Sequence, residues 1–336
     1  MFSGESFLRL RGDTIRGAEN LTSEAGRRGI MGTELSTVKP SAWPELPLGE
    51  WRETYDTLHM WTQIVGKVRL AFGPRVNHWW EVALYVNARG LTTSPIPYGA
   101  GVFEVQFDFM AQELSVQTSW GAEKSFPLRA QSVAEFYAEF MAGLHALGIE
   151  VKIWTTPVEV PDPVAFEKDK RHASYDAEYA RRFWQILISC DTVFKEFRSR
   201  FIGKDSPVHF FWGSFDLCVT RFSGRRAPEK PGADAITREA YSHEVISAGF
   251  WPGGGEVKGA AFYAYAAPEP AGFAGAKVQP AEAFYHPQMH EFLMMYEDVR
   301  QAASPREALL GFLQSTYEAG ASAGMWDRKE LERDPG

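Results

Sequence analysis

Apolar residues recur every three or four positions between Glu50 and Leu70, with Tyr55, Leu58, Trp61, Val65 and Val68 on one stripe. That period predicts an amphipathic helix, and Gly73-Pro74 supplies its stop. The run Val76-Asn77-His78-Trp79-Trp80 then leads into a strand expected to end at Arg89-Gly90. From Phe103 to Phe109 the pattern changes to strict alternation. Phe103, Val105, Phe107 and Phe109 point one way, and Glu104, Gln106 and Asp108 the other. A half-buried antiparallel strand has this signature, and Leu114 to Thr118 reads as its hairpin partner. Ser132-x-x-Glu135 is a capping box that opens a helix carrying Phe136, Phe140 and Leu144 and stopping at Gly148.

The order then repeats. Asp176 caps a second long helix with Phe183, Leu187, Cys190, Phe194 and Phe197 on its apolar face. Ser206-Pro207-Val208-His209 enters a strand that runs to Arg221-Phe222-Ser223-Gly224. Further strands are expected at His243 to Phe250 and Ala260 to Ala266, a helix at His290 to Ala302, and a last helix from Ser304-Pro305-x-Glu307. The pattern predicts an α+β fold of antiparallel strands with flanking amphipathic helices. It divides into two pseudo-repeated helix-strand-strand-strand-helix halves, residues 41–148 and 176–326, that share a core. Residues 149–175 form the connector, an ordered strap because Val158-Glu159-Val160-Pro161-Asp162-Pro163 favours extended chain. Residues 1–40 are polar and aperiodic and read as a disordered extension, with Met31 an alternative start to Met1. Residues 327–336 read as a frayed, charged tail.

Composition narrows the function classes. A net charge of -8 argues against nucleic acid as a partner. No apolar run approaches the ~20 residues of a membrane span, and the N-terminus lacks a signal-peptide core, which points to a cytoplasmic protein. The two cysteines, Cys190 and Cys218, sit among apolar neighbours and read as free, buried thiols.

Familiar catalytic motifs are absent. There is no dinucleotide-binding or phosphate-loop glycine pattern, and Gly213-Ser214 lacks the second glycine of a nucleophile elbow. Polar side chains gather instead in the second half. His209 opens a strand, and alternation places Ser214 and Asp216 on the opposite face from it. Asp216 stands between Phe215 and Leu217, where a carboxylate needs a partner or a wet cleft. Acid-base chemistry would come from His209, Asp216, His243 and Glu244, since imidazole exchanges protons near neutral pH. Arg225 and Arg226 would hold an anion, with Tyr241 and Trp251 lining the site beside Gly253-Gly254-Gly255. The expected partner is thus a small polar or anionic molecule, with the cofactor and the oligomeric state left open.

Two alternatives stand beside this. One is a mononuclear metal site on the strand-opening histidines His78, His209 and His243. The other is a non-catalytic binding cleft. Each feature also has a structural explanation. The triple glycine suits a hairpin loop, Arg225-Arg226 a solvated loop, and each of His78 and His209 the capture of an orphan carbonyl.

Five strings carry a resemblance: Leu58-His59-Met60-Trp61-Thr62-Gln63, Asn77-His78-Trp79-Trp80, Thr92-Thr93-Ser94-Pro95-Ile96-Pro97-Tyr98, Phe211-Trp212-Gly213-Ser214-Phe215-Asp216, and Ser242 to Gly253. Together they resemble a bacterial family catalogued only as a domain of unknown function, over Trp43 to Trp326. The resemblance implies no activity, cofactor or catalytic residue.

Overall fold

In the computed structural model, residues 42–229 and 231–333 are described. The expectations for residues 1–40 and for the last three residues of the tail lie outside them.

The first half opens with α1 (Leu48–Phe72). A 3-10 segment follows (Asn77–Val82). Six short strands come next: β1 (Tyr85–Val86), β2 (Gly90–Thr92), β3 (Ile96–Tyr98), β4 (Gly101–Asp108), β5 (Glu113–Thr118) and β6 (Glu123–Pro127). They form one antiparallel sheet in the order β1-β2-β4-β5-β6, with β3 also on β4. Helix α2 (Val133–Ala146) closes the half. Its capping box is formed at both ends, the Ser132 side chain accepting from the Glu135 amide and Glu135 from the Ser132 amide.

The second half opens with α3 (Ala177–Ser199), capped by Asp176 as expected. Then come β7 (His209–Phe211), β8 (Asp216–Arg226), a short α4 (Ala235–Ala240), β9 (His243–Trp251), β10 (Ala261–Ala267), β11 (Phe284–His286) and β12 (Glu291–Met295). Their antiparallel order is β11-β12-β10-β9-β8-β7. Helices α5 (Tyr296–Gln301), α6 (Pro305–Ala323) and α7 (Arg328–Leu331) finish the chain. The α+β class holds, with six strands per sheet where three were expected.

Three local expectations are corrected. The stretch after Val76 is a 3-10 turn rather than a strand entrance, because His78 and Trp79 adopt φ of 63° and 61°. The strand expected to end at Arg89-Gly90 stops at Val86, and Arg89 lies in the bend before β2, which starts at Gly90. Residues 291–295, expected to be helical, pair as β12 with β10 and β11. In the tail, residues 328–331 are helical, and the Ile202 amide donates to the Leu331 carbonyl at 2.8 Å.

One hydrophobic cluster spans both halves. Helix α1 runs through it, buried at every position from Thr57 to Val68. The sheets meet edge to edge, where Leu84 and Phe210 exchange two backbone hydrogen bonds of 2.9 Å. Beside this joint the Trp212 indole lies flat on Gly66 of α1 and donates to the Val82 carbonyl at 2.7 Å. A Cβ at Gly66 would stand 2.3 Å from that ring. Gly66→Ala gains helix propensity of about 1 kcal/mol but overpacks the joint. The expected net loss in urea unfolding is about 1–2 kcal/mol, and a stabilised variant would show that the indole moves aside freely.

Candidate functional site

The joint between the sheets leaves a cavity of about 310 Å³. Arg69, from the last turn of α1, reaches it. So do Trp80 and Glu81 of the 3-10 segment, Tyr85 of β1, Pro95 to Pro97 around β3, and His209 at the start of β7. The Arg69 Nε donates to the Glu81 carbonyl at 2.7 Å, and the guanidinium lies 5.6 Å from the centre of the Tyr85 ring. Arg69 joins no ion pair within 4 Å among the described residues, although Tyr85, Glu81 and Glu104 act on it through charge and Tyr85 also through a hydrogen bond. Glu81 is buried, and its carboxylate accepts from the Val76 amide at 3.1 Å.

His209 is 1% exposed, and neither of its ring nitrogens has a hydrogen-bond partner among the described residues. Rings enclose it: Trp80 at 5.5 Å, Tyr85 at 5.6 Å and Phe211 at 5.3 Å. Burial, aided by the charges of Arg198 and Arg69, pushes the imidazole down to about 3, so it is neutral at pH 7. It therefore offers one N–H and one lone pair, both unused.

Asp216 is not across the sheet from His209. Residues 212–215 make a tight turn between β7 and β8, with Phe215 at φ 58°. The resulting register pairs His209 with Cys218 and Phe211 with Asp216. Directly paired residues share a face, so His209 and Asp216 lie on the same one, contrary to the alternation argument. That face continues through Thr220, Ser247, Tyr263, Tyr265 and Glu291. Asp216 has no arginine. The Ser214 and Tyr263 hydroxyls donate to its carboxylate. Tyr263 reaches across β9 because residue 249 is glycine, where a Cβ would stand 2.4 Å from the tyrosine ring.

Burial raises the Asp216 carboxyl above its ordinary range, although both hydroxyls oppose this. Burial, followed by the charge of Asp216, also raises Glu159 of the strap and pushes Glu291 of β12 up to about 7.

The remaining candidates are dispersed. His243 pairs with Arg226 on the β8–β9 ladder, and its ring lies 5.9 Å from that of His78. The His78 Nδ1 donates to the carbonyls of Glu239 and Ala240 at 3.1 and 3.2 Å, so its Nε2 accepts from Lys204 at 2.7 Å. Carbonyl capture thus describes His78 and not His209. Arg225 and Glu244 occupy each other at 2.7 Å, and Arg225 also donates to the Gly324 and Met325 carbonyls. Arg226 is exposed. Tyr241 bonds the Tyr265 hydroxyl at 3.0 Å. The glycines after Trp251 form a hairpin loop, with φ of 91°, 158° and 57°.

Among the described residues no three His, Cys, Asp or Glu side chains are placed to hold a metal ion. Cys190 and Cys218 are free and buried. No described helix is long and apolar enough to cross a membrane.

A family model described as a family of unknown function, DUF5996, matches residues 43–333. The chain belongs to that family. Neither the curated proteins nor the solved structures contain a match to it. Three of the family-like strings, around Asn77–Trp80, Thr92–Tyr98 and Phe211–Asp216, meet at or beside the cavity. Of the cavity's polar residues, the sequence reading found only His209. It missed Arg69, Glu81 and Tyr85, and those strings were the available signal.

The carboxyl cluster makes a pH prediction. Glu291 has a folded value near 7 against an ordinary 4.5, so its contribution is fully present below about pH 4.5 and is lost as pH rises through 7. Glu291→Gln should stabilise the fold at pH 8 by roughly 1–2 kcal/mol, allowing for solvent screening, and change little at pH 4.5. Urea unfolding at both pH values checks this, and an equal effect at both would acquit the carboxyl charge.

Proposed function

We propose that the chain binds a small organic anion in the cavity where its sheets meet and exchanges a proton with it through His209. The observation that carries this reading is the imidazole itself, buried at the cavity wall with both nitrogens unpartnered. Buried polar groups are nearly always paired, and of the several buried side chains with an unpartnered polar atom among the described residues, His209 is the one that lines the cavity. Arg69 gives that partner its sign. A guanidinium lining a half-open cavity, with no ion pair among the described residues, is a countercharge for a carboxylate or phosphate. An entering anion also changes His209. Negative charge beside it raises the imidazole from about 3 toward neutrality, which turns an inert ring into a usable acid-base group. Asp216, His243 and Glu244 are not among the residues lining the cavity, and Arg69 takes the role first given to Arg225 and Arg226.

Thermal melting with a panel of organic anions tests the proposal. A bound anion at 100 times its Kd adds about 2.7 kcal/mol of stability. The expected melting-temperature rise is several degrees in the wild type, larger at pH 5 than at pH 8, and absent in Arg69→Met. A panel with no stabilising member, or a rise that survives Arg69→Met, rejects it.

We also infer that the two halves descend from one duplicated unit. Supporting this, each runs from a long helix through a six-stranded antiparallel sheet to a closing helix. Superposing α1 to α2 on α3 to α6 should bring β1 onto β7, and strand orders that fail to coincide would make the likeness accidental.

A further inference from the structure

We infer that the anion taken by the His209 cavity is a single flat ring carrying one carboxylate and one hydroxyl. This rests on the anion reading above and narrows it. Size comes first. The cavity measures about 310 Å³, about twice the ~150 Å³ that accommodates benzene in an engineered core. One ring with two polar substituents fits that space.

Wall chemistry comes second. The indole of Trp80, the ring of Tyr85 and the pyrrolidines of Pro95 and Pro97 offer rigid, flat, apolar surfaces. Such surfaces gain from covering the faces of another ring, whereas acetate or phosphate would leave them against water.

Charge comes third. Arg69 brings one positive charge, and the buried Glu81 carboxylate stands in the same wall. The two charges offset each other, so one further negative charge is carried there more easily than the two of a phosphate dianion. The Arg69 fork suits the two oxygens of a carboxylate.

His209 supplies the last constraint. A neutral imidazole has one donor and one acceptor. A hydroxyl can serve either nitrogen, because it both donates and accepts, whereas a second carboxylate can only accept. His209 is therefore the residue that sets specificity for the ring hydroxyl, and Arg69 the residue that sets it for the acid.

Calorimetric titration of the full chain with benzoate, 3- and 4-hydroxybenzoate, acetate and inorganic phosphate separates these claims. At least one hydroxybenzoate should bind about tenfold tighter than benzoate, the value of one good hydrogen bond. Benzoate should exceed acetate by at least tenfold through ring burial, and phosphate should not bind. His209→Phe should erase the hydroxyl's advantage, so that the hydroxybenzoates bind no better than benzoate. Arg69→Met should lose every carboxylate. If Arg69→Met does not melt cooperatively, Arg69→Lys replaces it, with weakened binding expected. Acetate or phosphate binding as tightly as benzoate, or hydroxybenzoates no better than benzoate in the wild type, overturns the ring-and-hydroxyl inference while the anion reading stands. Binding by none of the carboxylates, or binding indifferent to both Arg69 variants, overturns the anion reading as well.

Discussion

Helix α1 is buried on all sides, and that constraint organises the molecule. A surface helix keeps its polar residues in water, but one enclosed by the core must give each polar group a partner within the protein. Thr54 accepts from the Asp176 amide at 2.9 Å and so fixes the start of α3. His59 donates to the Gly213 carbonyl at 2.8 Å and holds the β7–β8 turn, at the cost of an imidazole pushed by burial down to about 4. Gln63 bonds both backbone groups of Val158 at 2.8 and 2.9 Å, and Lys67 the Thr156 carbonyl at 2.6 Å, which pins the strap. Each interaction joins α1 to a segment far along the chain. The polar residues of this helix thus act as its clamps, while its apolar residues fill the shared core.

The cavity follows from how that scaffold is closed. Gly66 lets Trp212 lie against α1, and the indole holds the end of the 3-10 segment through Val82. The segment is also held from the other side by His78, whose ring bridges the Glu239 and Ala240 carbonyls and Lys204. With His78 and Trp79 at positive φ, the chain turns Trp80 toward His209 instead of continuing as a strand. Non-glycine residues at positive φ are uncommon and persist where surrounding contacts over-determine them. Here those contacts are the carbonyl bonds on one side and the indole clamp on the other. The proline-rich turn around β3 cannot move in to fill the gap, because ring closure fixes its backbone.

What was legible in the sequence depended on how local the signal was. The capping box at Ser132 and the Asp176 cap act within three residues, and both helices formed as read. The alternation from Phe103 to Phe109 is equally local, and all four aromatic or branched positions are buried. The β7–β8 turn was hidden because its positive φ falls on Phe215 and not on Gly213, so the glycine signal pointed to nothing. Without that turn the parity between His209 and Asp216 is reversed. Residues 291–295 were misread because a short apolar run serves helix and strand equally. Arg69 was passed over for a different reason. A basic residue in the last turn of a helix complements the helix dipole, and nothing local separates that role from facing a cavity formed with β7, more than a hundred residues away.

The same sheet face carries two environments of opposite character. At His209 burial first, and the cations Arg198 and Arg69 second, hold the imidazole neutral. Two residues on, roughly 7 Å along an extended strand, Phe211 pairs with Asp216, whose neighbours Glu159 and Glu291 are acids with raised values. Merging the two would pair His209 with a carboxylate and quench both. The turn prevents this, since its Phe215 is seated in the core on Phe183, at 5.1 Å, and keeps Asp216 turned toward Ser214 and Tyr263. The carboxyl group that the sequence reading grouped with His209 for acid-base chemistry is thereby kept among hydroxyls, and the imidazole is left without a partner among the described residues. That separation explains why the polar residues of one strand pair do not constitute one site.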